Sequence, residues 1–165
     1  MKKLPSQRNT YWLGFILILA FLAFAIYLEM FQGVTPCPLC ILQRICLCGL
    51  AIVFFMGAII KLRKLGSVIV GSMGFLISIA GLLLSGRQAW LQHNASGLTS
   101  NCDVSFQYMV QVMPLSEVLK KIFLGGTECS QINWEFLHLS LAEWSFIWFL
   151  IFSIVSIWQI CRKHK

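Results

Sequence analysis

Charge is scarce in this chain. Only 12% of its 165 residues are Asp, Glu, Lys or Arg, against 58% hydrophobic, whereas a soluble domain carries about twice that charged fraction. A water-soluble core is excluded on this ground, and the chain falls among membrane proteins. Acid is scarcer still: six Asp and Glu stand against 13 Lys and Arg, a formal net charge of +7. Also missing is a polar segment after the first apolar run. Lys2, Lys3 and Arg8 precede that run and Ala23-Phe24-Ala25 has the look of a small-residue cleavage site, but the run continues through Ile26, Tyr27 and Leu28. It therefore reads as an uncleaved span and not as a signal peptide.

What the chain has instead is four apolar stretches, residues 11–30, 41–60, 66–90 and 144–160. A helix rises about 1.5 Å per residue and the hydrocarbon core of a bilayer is about 30 Å thick, so the first three are long enough to cross. The fourth is slightly short, and Trp144 and Trp158 at its ends suit the two headgroup levels. The expected fold is all-α: an integral-membrane four-helix bundle forming one membrane domain over residues 1–165.

The positive charges then orient it. Lys2, Lys3 and Arg8 precede the first span, Lys61, Arg63 and Lys64 join the second to the third, and Arg162, Lys163 and Lys165 follow the fourth. With four spans these clusters share one side, which the positive-inside rule makes the cytoplasm, with both termini there. All six acids, Glu29, Asp103, Glu117, Glu128, Glu135 and Glu143, fall on or near the other side. The net charge thus reports topology, and no nucleic-acid partner is needed to explain it.

Two segments face outward, residues 31–40 and 92–143, and the chemistry is expected there. The cytoplasmic turn at 61–65 is too short to hold a site. In the long outer segment Pro114 opens a run in which Leu115, Val118, Leu119, Ile122 and Phe123 recur at helical spacing opposite Glu117, Lys120 and Lys121, up to Gly125-Gly126. This predicts a short amphipathic helix lying in the outer membrane interface. In the third span Ser67, Gly71, Gly74, Ser78, Gly81 and Ser85 are spaced four, three, four, three, four. They share one face, which predicts close packing against a neighbouring helix.

Of seven cysteines, Cys46, Cys48 and Cys161 fall within or at the cytoplasmic end of spans and read as small buried hydrophobes. Cys37, Cys40, Cys102 and Cys129 lie in the outward segments, where disulfides can form. Cys37-Pro38-Leu39-Cys40 is a C-x-x-C at the start of the second span, with Pro36 and Pro38 suited to a helix entry and first turn. Unpaired N–H groups and the positive end of the helix dipole there favour thiolate, and hence an oxidising disulfide. Two other readings exist. Four cysteines could bind zinc, although Cys102 and Cys129 lack the paired local spacing of zinc ribbons; or they could merely staple the outer loops of a structural membrane protein, although so small a loop as 37–40 gains little from a disulfide.

Arg44 follows Cys40 by four and Cys37 by seven, on one helix face and about one turn deeper. An arginine just below the interface is costly and is by default functional, unless it snorkels to the headgroups. Its guanidinium is suited to hydrogen-bond a quinone carbonyl and to stabilise that oxygen as it gains electrons.

Assembled, these residues resemble the disulfide bond formation protein B (DsbB) family of bacterial inner-membrane thiol oxidases. The resemblance is carried by Cys-Pro-Leu-Cys-Ile-Leu-Gln-Arg at 37–44, Gly-Arg-Gln-Ala-Trp-Leu-Gln-His at 86–93, Cys102-Asp103, Met113-Pro114-Leu115, and Cys129 followed by Trp134, Phe136 and Leu137. It implies that Cys102 and Cys129 form the loop disulfide that oxidises a periplasmic thioredoxin-fold dithiol oxidase of the DsbA type. That pair is restored by exchange with Cys37–Cys40 through a Cys37–Cys129 bond, leaving Cys40 as thiolate against a membrane quinone, ubiquinone or menaquinone. It also implies a place for His93 beside the quinone or in proton supply, and no resident metal. One departure stands out: some members carry Glu before the arginine, where this chain has Gln43, so a carboxylate suited to proton traffic is missing from that position.

Overall fold

In the computed structural model, residues 7–32, 37–60, 64–94 and 135–161 are described. They form four long helices: α1 (Gln7–Gln32), α2 (Pro38–Ile59), α3 (Lys64–His93) and α4 (Leu141–Cys161). All four are long and apolar enough to cross a membrane. Three of them, α1, α3 and α4, outrun their apolar stretches at both ends, because helical hydrogen bonds close within the segment and continue past the point where the side chains turn polar, while α2 begins three residues early and stops at Ile59. The largest change is in the fourth. With 21 residues, α4 is about 31 Å long, so the shortness expected of residues 144–160 disappears.

Local chemistry sets two of the helix starts. Cys37 is the N-cap of α2 and Pro38 opens its first turn, where a missing N–H costs nothing. At α4, the Ser140 Oγ accepts from the Glu143 N–H at 3.3 Å and the Glu143 carboxylate accepts from the Ser140 N–H at 2.7 Å, a reciprocal capping box. Ahead of it stands a two-stranded antiparallel ribbon, β1 (Glu135–Phe136) and β2 (Leu139–Ser140), with Phe136 opposite Leu139. Its central residues Leu137 and His138 both have positive φ, 55° and 63°, as the tightest hairpin turns require. Neither residue is a usual turn former, so this ribbon is the one departure from an all-α arrangement among the described residues.

The helices run alternately up and down. Tyr11 meets Gly57 and Gly14 meets Phe54 between α1 and α2; Gln43 meets Gln88 between α2 and α3; Gly81 meets Phe149 and Gly71 meets Ile160 between α3 and α4. The core comprises Tyr11, Ile18, Leu47, Leu50, Phe54, Phe149 and Phe152 among others. Phe54 is its hinge point, meeting the rings of Tyr11 at 5.6 Å and Phe152 at 5.8 Å, both edge-on. Lipid gives helices no hydrophobic reason to associate, so contact packing has to do it. The small-residue face of α3 supplies that: Ser67, Gly71, Gly74, Ser78, Gly81 and Ser85 are all buried. A Cβ at Gly81 would stand 2.2 Å from the Phe149 ring, and one at Gly71 would stand 2.6 Å from Ile160 Cγ1. Outward, Leu13, Ile16, Leu76, Leu83 and Ile154 are exposed, as lipid-facing side chains should be.

The expected interfacial helix after Pro114 lies outside the described residues, as do Cys102 and Cys129.

Candidate redox site

The site is built on the first two turns of α2. Cys37 is buried at 3% exposure, and its Sγ accepts from the Cys40 N–H at 3.4 Å. The two sulfurs stand 3.1 Å apart. The C-x-x-C therefore occupies the helix N-terminus as its prolines suggested, and the free N–H groups and dipole of that end face the sulfur atoms.

Cys40 is held from across the bundle. Gln88 of α3 donates through Nε2 to Cys40 Sγ at 3.1 Å, and its Oε1 accepts from Gln43 Nε2 at 2.8 Å. Both glutamines are 4% exposed. The second bond helps set how the Gln88 amide is turned: its oxygen accepts from Gln43 and lies 3.5 Å from Cys40 Sγ, and its N–H side lies nearer the sulfur, at 3.1 Å. An N–H donor aimed at sulfur favours negative charge there. Gln43 thus has a definite task although it carries no charge.

Arg44 turns toward α1. Its Nη1 is paired with the Glu29 carboxylate and its Nη2 donates to the Ala25 carbonyl at 3.3 Å. The guanidinium is therefore paired across to α1. Its side chain remains 25% exposed, and an arginine has five N–H donors, so donors are left for a carbonyl oxygen approaching from outside. That donor set, one turn along the same face from Cys40, fits a quinone.

His93 meets an acid of the fourth helix. Its Nε2 lies 3.0 Å from Glu143 Oε1, and beside it Ser140 Oγ donates to Gln92 Oε1 at 2.7 Å. These contacts tie the end of α3 to the start of α4. The α3 side chain that meets Cys40 is Gln88, five residues earlier. Of the remaining cysteines, Cys46 is half-buried beside the core, and Cys48 and Cys161 are exposed on the helix surfaces.

Three residues of this arrangement were not singled out by sequence reasoning. Gln88 had a usable signal: it continues the small-residue series of α3 by one more step of three after Ser85, which places it on the buried face. Glu29 had one too, being the sole acid of an otherwise apolar span. Gln43 was noted only for the carboxylate it lacks.

Comparison with known proteins identifies the family. The family model described as "Disulfide bond formation protein DsbB" matches residues 7–159. The chain is similar to disulfide bond formation protein B of Stutzerimonas stutzeri, 34% identical over 161 residues, covering 98% of this chain and 99% of the relative. It is also similar to the proteins of that name from Methylococcus capsulatus, 37% identical with 96% and 99% covered, and Nitrosococcus oceani, 32% identical with 95% and 93% covered. A match over nearly the whole length, in a chain whose C-x-x-C caps a membrane helix, leaves one conclusion: this is a membrane protein of the DsbB family, an oxidoreductase of disulfide bond formation.

Proposed function

We propose that the chain lies in the bacterial inner membrane with Cys37 and Cys40 on the periplasmic side, reoxidises a thioredoxin-fold dithiol oxidase of the DsbA type, and passes the electrons to membrane quinone. The observation that carries this reading is the setting of Cys40: a sulfur on a helix N-terminus, faced by the Gln88 N–H, with a partly exposed guanidinium one turn further along. Orientation rests on the basic clusters at 2–8, 61–64 and 162–165, which the positive-inside rule keeps in the cytoplasm.

In this scheme a partner thiolate attacks the Cys102–Cys129 disulfide at Cys102, forming a mixed disulfide and releasing Cys129 as thiolate. The partner's second thiolate then displaces Cys102, and the partner leaves oxidised. Cys129 attacks Cys37 of the Cys37–Cys40 disulfide, making the Cys37–Cys129 bond and freeing the Cys40 thiolate. Attack of Cys102 on Cys129 then restores the loop pair and leaves Cys37 and Cys40 reduced, so one dithiol has been exchanged for another. Gln88 holds the charge on Cys40, and Arg44 holds a quinone carbonyl. A bound quinone supplies the electron sink, taking two electrons and two protons as the Cys37–Cys40 bond re-forms.

The test is reconstitution in vesicles with a reduced DsbA-type partner and ubiquinone, and then menaquinone, followed by loss of quinone absorbance. The unsubstituted chain is expected to turn over, Cys40→Ser to be inactive, and Cys102→Ala to form no mixed disulfide with the partner. Turnover that survives Cys40→Ser would make the four cysteines simple staples.

A further inference from the structure

Reducing a quinone consumes two protons, and among the described residues the groups that meet Cys40 are poorly suited to carry them. Gln43 and Gln88 are amides engaged with each other, and neither exchanges a proton in ordinary acid–base chemistry. His93 is committed to Glu143 at the α3–α4 junction. Among the described residues, the carboxylate bonded to this group is Glu29, which reaches Arg44 from α1. It is also partly open, with 37% of its side chain exposed, and it stands three residues before the end of α1 at Gln32.

Resting on the quinone reading above, we propose that Glu29 is the proton carrier of the site: its carboxylate takes a proton from the outer aqueous side and hands it to the quinone oxygen that Arg44 hydrogen-bonds. The physical reason is charge balance. One guanidinium compensates one negative charge at close range, and at rest that charge is Glu29. When Arg44 also serves an oxygen gaining electrons, two anions compete for one cation, and a proton on Glu29 relieves the competition. Glu29 then passes the proton on and returns to its ion pair. Atoms and electrons balance: the dithiol gives up two electrons and two protons as its S–S bond forms, the quinone takes two of each, and Glu29 ends ionised as it began.

Glu29→Gln separates carrying from positioning, because the amide oxygen still accepts from Arg44 while the group can no longer ferry a proton. With the full-length chain in nanodiscs and a short-tailed benzoquinone, the Kd for the quinone should stay within about threefold of the unsubstituted value. Single-turnover reduction by a dithiol should slow roughly hundredfold, as for loss of a general acid. Added small carboxylic acids should restore part of the rate, and Glu29→Asp should keep most of it. In the unsubstituted chain, infrared difference spectra during turnover should show a carboxyl band sensitive to deuteration that Glu29→Gln lacks. Wild-type rates in Glu29→Gln would overturn the proposal. So would a slowing matched by an equal weakening of Kd with no rescue by acids, since Glu29 would then only position Arg44. If the unsubstituted chain itself binds no quinone, the quinone reading fails and not this inference alone.

Discussion

At the Cys40 end of the bundle the two buried glutamines satisfy each other: Gln43 donates to Gln88, and Gln88 donates in turn to the sulfur. At the opposite end the hydrogen bonding runs through a serine. Ser67 Oγ accepts from Gln7 at 2.8 Å and donates to the main-chain carbonyl of Gln159 at 3.2 Å, while the Gln159 amide is buried without a partner among the described residues. Both ends place amides inside a membrane bundle, where each unsatisfied polar group is costly. The difference is where the network terminates. At one end it finishes on a reactive atom, and each bond orients the next. At the other it finishes on main chain and serves to fix helix register.

That contrast can be broken from either side. The largest effect should come from the packing common to both ends: Gly81→Leu forces side-chain atoms into the Phe149 ring, which a Cβ alone would approach to 2.2 Å. Unfolding in mixed micelles should show a loss of about 3 kcal/mol, at the upper end for overpacking. Next is Gln88→Leu, which removes the donor to Cys40 and leaves Gln43 without its acceptor. A hydrogen bond to a charged group is worth about 1.5–3 kcal/mol, so quinone reduction should fall at least tenfold while the purified chain remains folded. Equal activity in Gln88→Leu would show that the amide network does not act on the sulfur. The smallest effect belongs to Gln159→Leu. Replacing an unpartnered buried amide with an apolar group of similar size should leave turnover unchanged and hold or raise stability by about 1 kcal/mol. A marked loss of stability there would mean that the Gln159 side chain has a partner that this account omits.

Much of the fold was open to reading from one chain, for reasons that are local. Span length follows from bilayer thickness, and the buried face of α3 follows from the spacing of Ser67 through Ser85. The position of the C-x-x-C at a helix start follows from Pro36 and Pro38. What spacing within a helix does not reveal is which neighbour that face meets. Arg44 was placed on the Cys40 face of α2 by its spacing, but its partner Glu29 comes from α1. His93 was matched by its place in a motif, and the fold adds what the motif does not show: Glu143 beside His93, and Gln88 at the sulfur. The Leu137-His138 turn was out of reach for another reason. Two non-glycine residues at positive φ run against their own preferences, so no composition rule announces the ribbon.

The central claim is that the Cys40 sulfur, charged and held by Gln88, lies against a quinone bound at Arg44. The most direct test is the visible absorbance spectrum of the purified chain loaded with quinone, recorded after its loop disulfide is challenged with a DsbA-type partner dithiol. A broad thiolate-to-quinone charge-transfer band is predicted, lost in Cys40→Ser and weakened in Arg44→His. A loaded chain that turns over with no such band, or a band that survives Cys40→Ser, would contradict the account.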